Sequence, residues 1–303
     1  MKAIQISAYG GTEQLKFSDV DKPAAKSGQV LVRVHDAGVN PYDWKVRAGL
    51  MKEMMPVHFP FTMGNDFAGE VEDNGGVAGF SKGDRVFGFA QGAYAEFVNA
   101  HQDKLAKIPE KMDYATAASL PTPGLTGYQL VKELKLQSGQ RLLIHGAAGA
   151  VGSFAVQLAV SQGVKVFANA ASEDEQYLKD MGVQKVIDYQ TQRFEEFFHD
   201  MDAVIDLVGG DTLKRSYQCV KKNGTLFTTV GPFDQATAQK FSVQGRMFLM
   251  QQNGKDLQEV ANLVLKGVMR PRVSDVMPLE KAAEAQRLNE KGLAHGKIIL
   301  HVQ

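Results

Sequence analysis

The chain has one cysteine, Cys219, in 303 residues, which excludes an intramolecular disulfide and any zinc site built from two or more thiolates. That fits a reducing compartment. It has no excess of either charge, with 34 Lys plus Arg against 34 Asp plus Glu. A neutral chain without a basic stripe has no electrostatic footprint for nucleic acid or anionic lipid, and neither is expected as a partner. The opening MKAIQISAYGG lacks an apolar run of about 7–15 residues and a cleavage pattern, so no secretory leader is expected and the protein reads as cytoplasmic. Repeats, low-complexity tracts and long charge runs are absent. One stretch, 142–164, carries no Asp, Glu, Lys or Arg and is long enough to span a bilayer. Gly146, Gly149 and Gly152, then Gln157, Ser161 and Gln162, break it into a short strand, a tight turn and a buried helix. No membrane span is expected.

What the chain does have is two rhythms. From Met1 to Ser119 short apolar alternations such as QVLVRVHDAGV at 29–39 are separated by turn clusters such as EDNGGVAG at 72–79, which predicts small antiparallel β-structure. GDRVFG at 83–88 and GAYAEFV at 92–98 each read as one more glycine-led strand. From Leu120 strands alternate with helices: LLIH, VGSFAVQLAVSQ, VKVFAN, SEDEQYLKDMG, KVIDY, AVIDLV and TLFTTVG. That spacing predicts βαβ units and a doubly wound parallel sheet. After Asn253 come two amphipathic helices, KDLQEVANLVLKG and PLEKAAEAQRLNEKG, and a lone strand KIILHV that needs a sheet to join. The expected organisation is α/β: a β domain at 1–119 completed by 253–303, with a dinucleotide domain inserted at 120–252.

The glycine turn in RLLIHGAAGAVGSFAVQLA stands directly between an apolar strand and an apolar helix, the setting that makes such a turn a dinucleotide signal. Backbone N–H groups around Ala148, Gly149, Ala150 and Val151, at the positive end of the helix, are the expected pyrophosphate contacts, and Gly152 allows close helix–sheet packing. The next strand should end about 20 residues on, where an acid would bind an NAD ribose. The residues there are Asn169, Ala170, Ala171 and Ser172. With no acid, NADP is favoured, with Ser172 a donor to the 2′-phosphate. Ser172 with Glu175 also reads as a capping box for a helix at 173–181, and one residue can do both.

Jointly, GVNPYDWKVRAG at 38–49, FPFTMGNDFAGEV at 59–71, GDRVFG, GAYAEFV, SLPTPGLTGYQ at 119–129, HGAAGAVGSFAVQLA and HGKIILHV at 295–302 resemble the zinc-free quinone oxidoreductases of the medium-chain dehydrogenase/reductase superfamily, over nearly the whole chain. The resemblance implies a GroES-like β-barrel catalytic domain, a Rossmann domain, NADPH in the cleft between them, and reduction of quinones or α,β-unsaturated carbonyls. It implies a homodimer through the cofactor domain, for which SVQGRMFLM at 242–250 reads as the apolar edge strand. Zinc relatives carry Gly-His-Glu where this chain has Gly64, Asn65 and Asp66, and their first cysteine ligand falls near Asn40. No metal is expected. Ala150 departs from the family's usual second glycine.

Without a metal, charge developing on the acceptor oxygen needs a donor or a cation. By resemblance Lys45 is the first candidate, against the plain alternative of a solvated lysine. Asn40 is assigned by resemblance to the nicotinamide ribose and substrate pocket. Its sequence context equally reads as a helix N-cap, with Pro41 first and Asp43 third in the helix. Tyr42 and Trp44 either wall the pocket or pack the domain. Asp43 and Arg47, four apart, read as an i to i+4 ion pair. The resemblance places Thr126 on the nicotinamide side and Tyr189 on the adenine side, with Val208, Gly231, Phe248 and Lys297 as further cofactor contacts. The family's accompanying lysine falls on Asp174. His145, inside the strand entering the turn, reads as a core residue. An enoyl-thioester reductase of the same superfamily, and an NADPH-binding protein without turnover, are the rival readings.

Overall fold

The apolar alternations of the first hundred residues become short strands because each buries every second side chain. The computed structural model describes residues 1–303. In chain order come β1 (Lys2–Ile6), β2 (Lys16–Asp19), β3 (Gln29–Gly38), α1 (Pro41–Arg47), β4 (Phe61–Thr62), β5 (Asp66–Asp73), β6 (Arg85–Phe89), β7 (Phe97–His101), β8 (Leu105–Lys107) and α2 (Tyr114–Ala118). The expected strand at 92–98 is not continuous. Gly92, at φ +90°, turns the chain. Tyr94 then bonds through its backbone to Ile4 and Met63, so β7 starts only at Phe97.

The alternating middle follows as α3 (Pro121–Leu134), β9 (Arg141–His145), α4 (Ala150–Ser161), β10 (Lys165–Ala170), α5 (Glu175–Asp180), β11 (Lys185–Asp188), β12 (Met201–Asp206), α6 (Gly210–Ser216), β13 (Val220–Thr228), α7 (Gln235–Phe241) and β14 (Gln244–Met247). These six strands form one parallel sheet in the order β11-β10-β9-β12-β13-β14. Leu142, Leu143 and Ile144 are all fully buried, since a central parallel strand is covered on both faces and reads as an apolar run. The apolar stretch at 142–164 thus divides into β9, a turn and α4, and no helix is long and apolar enough to cross a membrane.

The chain closes with α8 (Gly254–Leu265), β15 (Val273–Pro278), α9 (Ala282–Glu290) and β16 (Lys297–His301). β16 lies between β15 and β3 in a seven-stranded sheet, β15-β16-β3-β5-β6-β8 with β7 also on β3, and a smaller sheet runs β2-β1-β4. Two units result: Met1–Thr122 with Gln252–Leu265 and Pro271–Gln303, and Pro123–Gln251 with Lys266–Arg270. The first has its core in Val30, Val32 and Val34 of β3 against Phe67, Val71 and Val86. The second buries Leu143, Val204 and Leu226 of adjacent strands against Phe198 and Leu213.

Candidate active site

In the first unit the candidates gather at the start of α1. Pro41 takes the first helical position, where its missing N–H costs nothing, and Asn40 is the N-cap residue. The Asp43 carboxylate accepts from the Asn40 N–H (2.7 Å) and the Tyr94 hydroxyl (2.8 Å), both at Oδ2. The expected Asp43–Arg47 ion pair is not formed. Arg47, 1% exposed, donates instead to the Gly10 carbonyl (3.2 Å), Gln286 Oε1 (2.8 Å) and Glu290 Oε2 (2.7 Å). Three acceptors supplied by other segments satisfy the guanidinium better than one carboxylate whose donors are already in place.

Asn40 is buried, and its Oδ1 accepts from Lys297 Nζ at the start of β16. Its Nδ2 is buried with no partner, an unspent donor of the kind a ligand completes. Lys297 also pairs with Asp66 Oδ2 (3.2 Å), with the two side chains 3% and 0% exposed. Asp66 in turn accepts from the Thr122 N–H (2.9 Å) and hydroxyl (2.6 Å). Burial pushes the Asp43 carboxyl up to about 7; its bonds from Asn40 and Tyr94 pull down, Asp66 pushes up and Lys297 pulls down. Lys45 is half-buried, with Nζ 5.6 Å from the Trp44 ring centroid and no carboxylate partner. Tyr42 donates to Met55 Sδ (3.5 Å), and burial raises its phenol. Leu50, Met54, Met55 and Phe59, just beyond α1, are exposed and apolar.

In the second unit the strand order reverses between β9 and β12, the switch point where open α/β sheets bind their ligands. The glycine turn sits there. Gly146 has φ +71°, Gly149 is the N-cap of α4, and no side chain caps that helix. Its first N–H groups therefore remain available to an anion. A Cβ on Gly152 would lie 2.2 Å from the Gly146 carbonyl oxygen and 2.6 Å from Ala147 Cα, so α4 presses directly on the turn. The cradle fits a dinucleotide pyrophosphate.

The register aligns His145 with Asn169 and Asp206, Asp206 with Thr228, and Thr228 with Met247. Ser172, Tyr189, Val208, Gly231 and Phe248 thus all follow the carboxyl ends of these strands. Tyr189 is exposed, and its N–H donates to the Ala170 carbonyl. Val208 is exposed, Gly231 has φ +118°, and Phe248 is buried with its ring 5.8 Å from Phe227. Thr126 is buried within α3. The capping box expected at Ser172 is not made. Ser172 opens a 3-10 turn at Ser172–Asp174 without a side-chain cap, and Glu175 pairs with Lys179 (2.6 Å). The extra turn moves the helix start two residues on, to Glu175, and the serine hydroxyl makes no capping bond. Ser172 is left exposed.

Sequence reasoning missed Asp66, Tyr94 and Asp206. Asp206, fully buried, accepts from Val208 N–H (3.3 Å), Gly209 N–H (3.1 Å) and the Thr228 hydroxyl (2.8 Å), which fixes the loop after β12. An acid ending an apolar strand before two glycines was the available signal. His145 is a core residue, 2.9 Å from Ser216 Oγ and packed on Phe194, and burial pushes it down to about 3.

A parallel sheet reversing its order at a glycine turn, on one chain with a largely antiparallel β unit, defines the medium-chain dehydrogenase/reductase class. Residues 26–110 match the alcohol dehydrogenase GroES-like domain and residues 181–300 the zinc-binding dehydrogenase family. Quinone oxidoreductases of Sus scrofa and Rattus norvegicus are 33% and 31% identical, each over 99% of this chain and 97% of the relative. The structure of the quinone oxidoreductase from Coxiella burnetii superposes with a TM-score of 0.93 at 33% identity, covering 100% of this chain and 99% of that one. That of the Escherichia coli quinone oxidoreductase complexed with NADPH superposes at 0.92 with 26% identity and full coverage of both. The chain belongs to the quinone oxidoreductases of the medium-chain dehydrogenase/reductase superfamily.

Proposed function

We propose that this protein is an NADPH-dependent reductase that delivers a hydride to a quinone or an α,β-unsaturated carbonyl without zinc. The observation that carries the reading is the uncapped α4 N-terminus at the strand-order reversal, with Gly152 pressed against the turn. The NADPH in the Escherichia coli relative supports the choice of cofactor. Zinc does not suit the residues present. Asn40 and Asn65 stand where relatives place ligands, Asp66 is already neutralised by Lys297, and no group of three His, Cys, Asp or Glu side chains is arranged around a common point.

When bound, NADPH supplies the hydride. The backbone of Ala148, Gly149, Ala150 and Val151 holds the pyrophosphate, Tyr189 the adenine side, and Ser172 donates to the 2′-phosphate. Thr126, Val208, Gly231 and Phe248 line the nicotinamide side. Asn40 contacts the nicotinamide ribose, with Lys297 fixing its amide. Lys45, half-buried without a carboxylate partner, stabilises negative charge as it develops on the acceptor oxygen. Tyr42 and the apolar side chains of Leu50, Met54 and Met55 offer surface to a flat, apolar acceptor.

In this reading 1–119 and 253–303 form the catalytic domain, 120–252 the cofactor domain, and β14 pairs two copies into a homodimer. The lone Cys219 thiol, pushed up to about 12 by burial, stays protonated and unreactive. The test adds quinones, enals and enoyl thioesters in turn to protein and NADPH and follows the loss of NADPH absorbance. Turnover of quinones or enals is expected. Turnover confined to thioesters moves the substrate class, and NADPH binding without turnover of any acceptor refutes the reductase.

A further inference from the structure

The start of α1 holds a carboxyl that the proposed reaction does not use. Asp43 is 1% exposed, and two donors converge on one of its oxygens. The Asn40 N–H lies 2.7 Å from Oδ2 and the Tyr94 hydroxyl 2.8 Å. Asn40 is thereby gripped twice, by Asp43 through its backbone and by Lys297 through its Oδ1, while its own Nδ2 is buried without a partner. Lys297 is shared with Asp66. Two carboxyls and one ammonium are therefore buried in one network, and it is electrically neutral only while one carboxyl carries a proton.

We propose that Asp43 is a positioning residue whose ionised carboxylate holds the Asn40 amide in register for the nicotinamide ribose, so that protonation of Asp43 loosens dinucleotide binding. This rests on the function proposed above. Both bonds to Asp43 are charge-assisted while it is ionised and weaken when it takes a proton. The groups facing it account for where the change falls. Desolvation raises the carboxyl, with Asp66 of β5 adding to the rise; the Asn40 and Tyr94 bonds and the Lys297 charge of β16 oppose it, and the balance lies at about 7. Tyr42 lies next to it on α1 with its phenol neutral. Arg47, one turn on, is committed to Gln286 and Glu290 of α9 and supplies no ion pair to Asp43.

The experiment uses the whole chain and two readouts. Infrared difference spectra of the apoprotein, with Asp43→Asn as the assignment, are expected to show one carboxyl titrating near neutrality. Dissociation constants for NADH and NADPH are then measured by fluorescence across about pH 5.5–8.5. NADH is included because it lacks the 2′-phosphate, which titrates in the same range. For the unmodified protein both constants are expected to rise about three- to tenfold as pH falls through 7. Asp43→Asn should flatten that dependence. Tyr94→Phe removes one of the bonds that favour the ionised form, and so should keep the transition while moving it to higher pH. A residue with a merely structural role would shift neither. A transition unchanged in both variants, or no carboxyl titrating near neutrality, overturns the proposal while leaving the reductase standing. Failure of both nucleotides to bind at every pH overturns both. Should Asp43→Asn not fold, the Tyr94→Phe shift and the infrared titration decide alone.

Discussion

Burial pushes Asp43 and His145 toward their neutral forms, one up and one down, and only the second does so for packing alone. His145 binds a proton in the unfolded chain below about pH 6.5, whereas in the fold it stays neutral down to about 3. Between these values the unfolded state holds the extra proton, so stability falls as pH falls, by up to about 1.4 kcal/mol per pH unit. His145→Asn removes that titration. Melting temperatures between pH 7 and pH 5 are expected to drop more steeply for the unmodified protein than for the variant, and parallel curves would refute the linkage. Lys45 carries the proposed chemistry at the same scale. Lys45→Met is expected to lower kcat and kcat/KM together by about ten- to a thousandfold while the NADPH dissociation constant barely moves, with an enone losing more than a quinone. A solvated lysine would change neither, and a lysine on the cofactor would raise the dissociation constant instead. The sequence singled out Asn40, Lys45 and Lys297 by resemblance. The bonds around Asn40 and Lys297 were not legible in it, because Asp66 reaches Lys297, and Tyr94 reaches Asp43, only through the fold.

At the scale of elements, the β9–turn–α4 segment was the most legible part of the chain, since a strand covered on both faces and a buried helix leave an unbroken apolar run around three glycines. The strand at 92–98 and the cap at Ser172 were misread where a glycine turn and a 3-10 turn overrode local pattern. The glycines of the turn are not equivalent, which makes the element testable. At Gly152 a Cβ would meet the backbone of Gly146 and Ala147 well inside contact distance, whereas at Gly149 it meets only the Gly146 carbonyl at 3.3 Å with φ at −69°. Gly152→Ala must therefore lift α4 off the turn, at a cost of about 1–3 kcal/mol. It is expected to lower the melting temperature and weaken NADPH together. Gly149→Ala is expected to leave stability within about 1 kcal/mol. Equal melting temperatures for the two variants would show that the close approach at Gly152 is not what shapes the turn.

For the whole molecule, the parallel sheet followed from the strand–helix rhythm, but which strands would lie at the edges depended on strand order, and no local pattern encodes that. Two edges matter. β15, at one end of its sheet, carries Asp275 and closes on Pro278, features that discourage pairing with another strand. β14, at the end of the parallel sheet, has no proline, and its single charge is committed elsewhere on the chain. Its Arg246 is tied to Glu133 (2.7 Å), while Met247 and the following Leu249 are exposed. An unprotected edge beside exposed apolar side chains is an aggregation hazard unless something covers it, and a second copy related by a two-fold axis covers it with the same strand. Light scattering at micromolar concentration is expected to give twice the chain mass of 33.1 kDa. Replacing Met247 with Lys and Leu249 with Glu places charges at the end of the strand and just beyond it and should yield a folded monomer, with Phe17→Lys, an exposed apolar site on β2, as the control that stays dimeric. A double variant that remains dimeric would put the interface elsewhere, and an unmodified chain that runs as a monomer would leave β14 without a partner and refute the dimer.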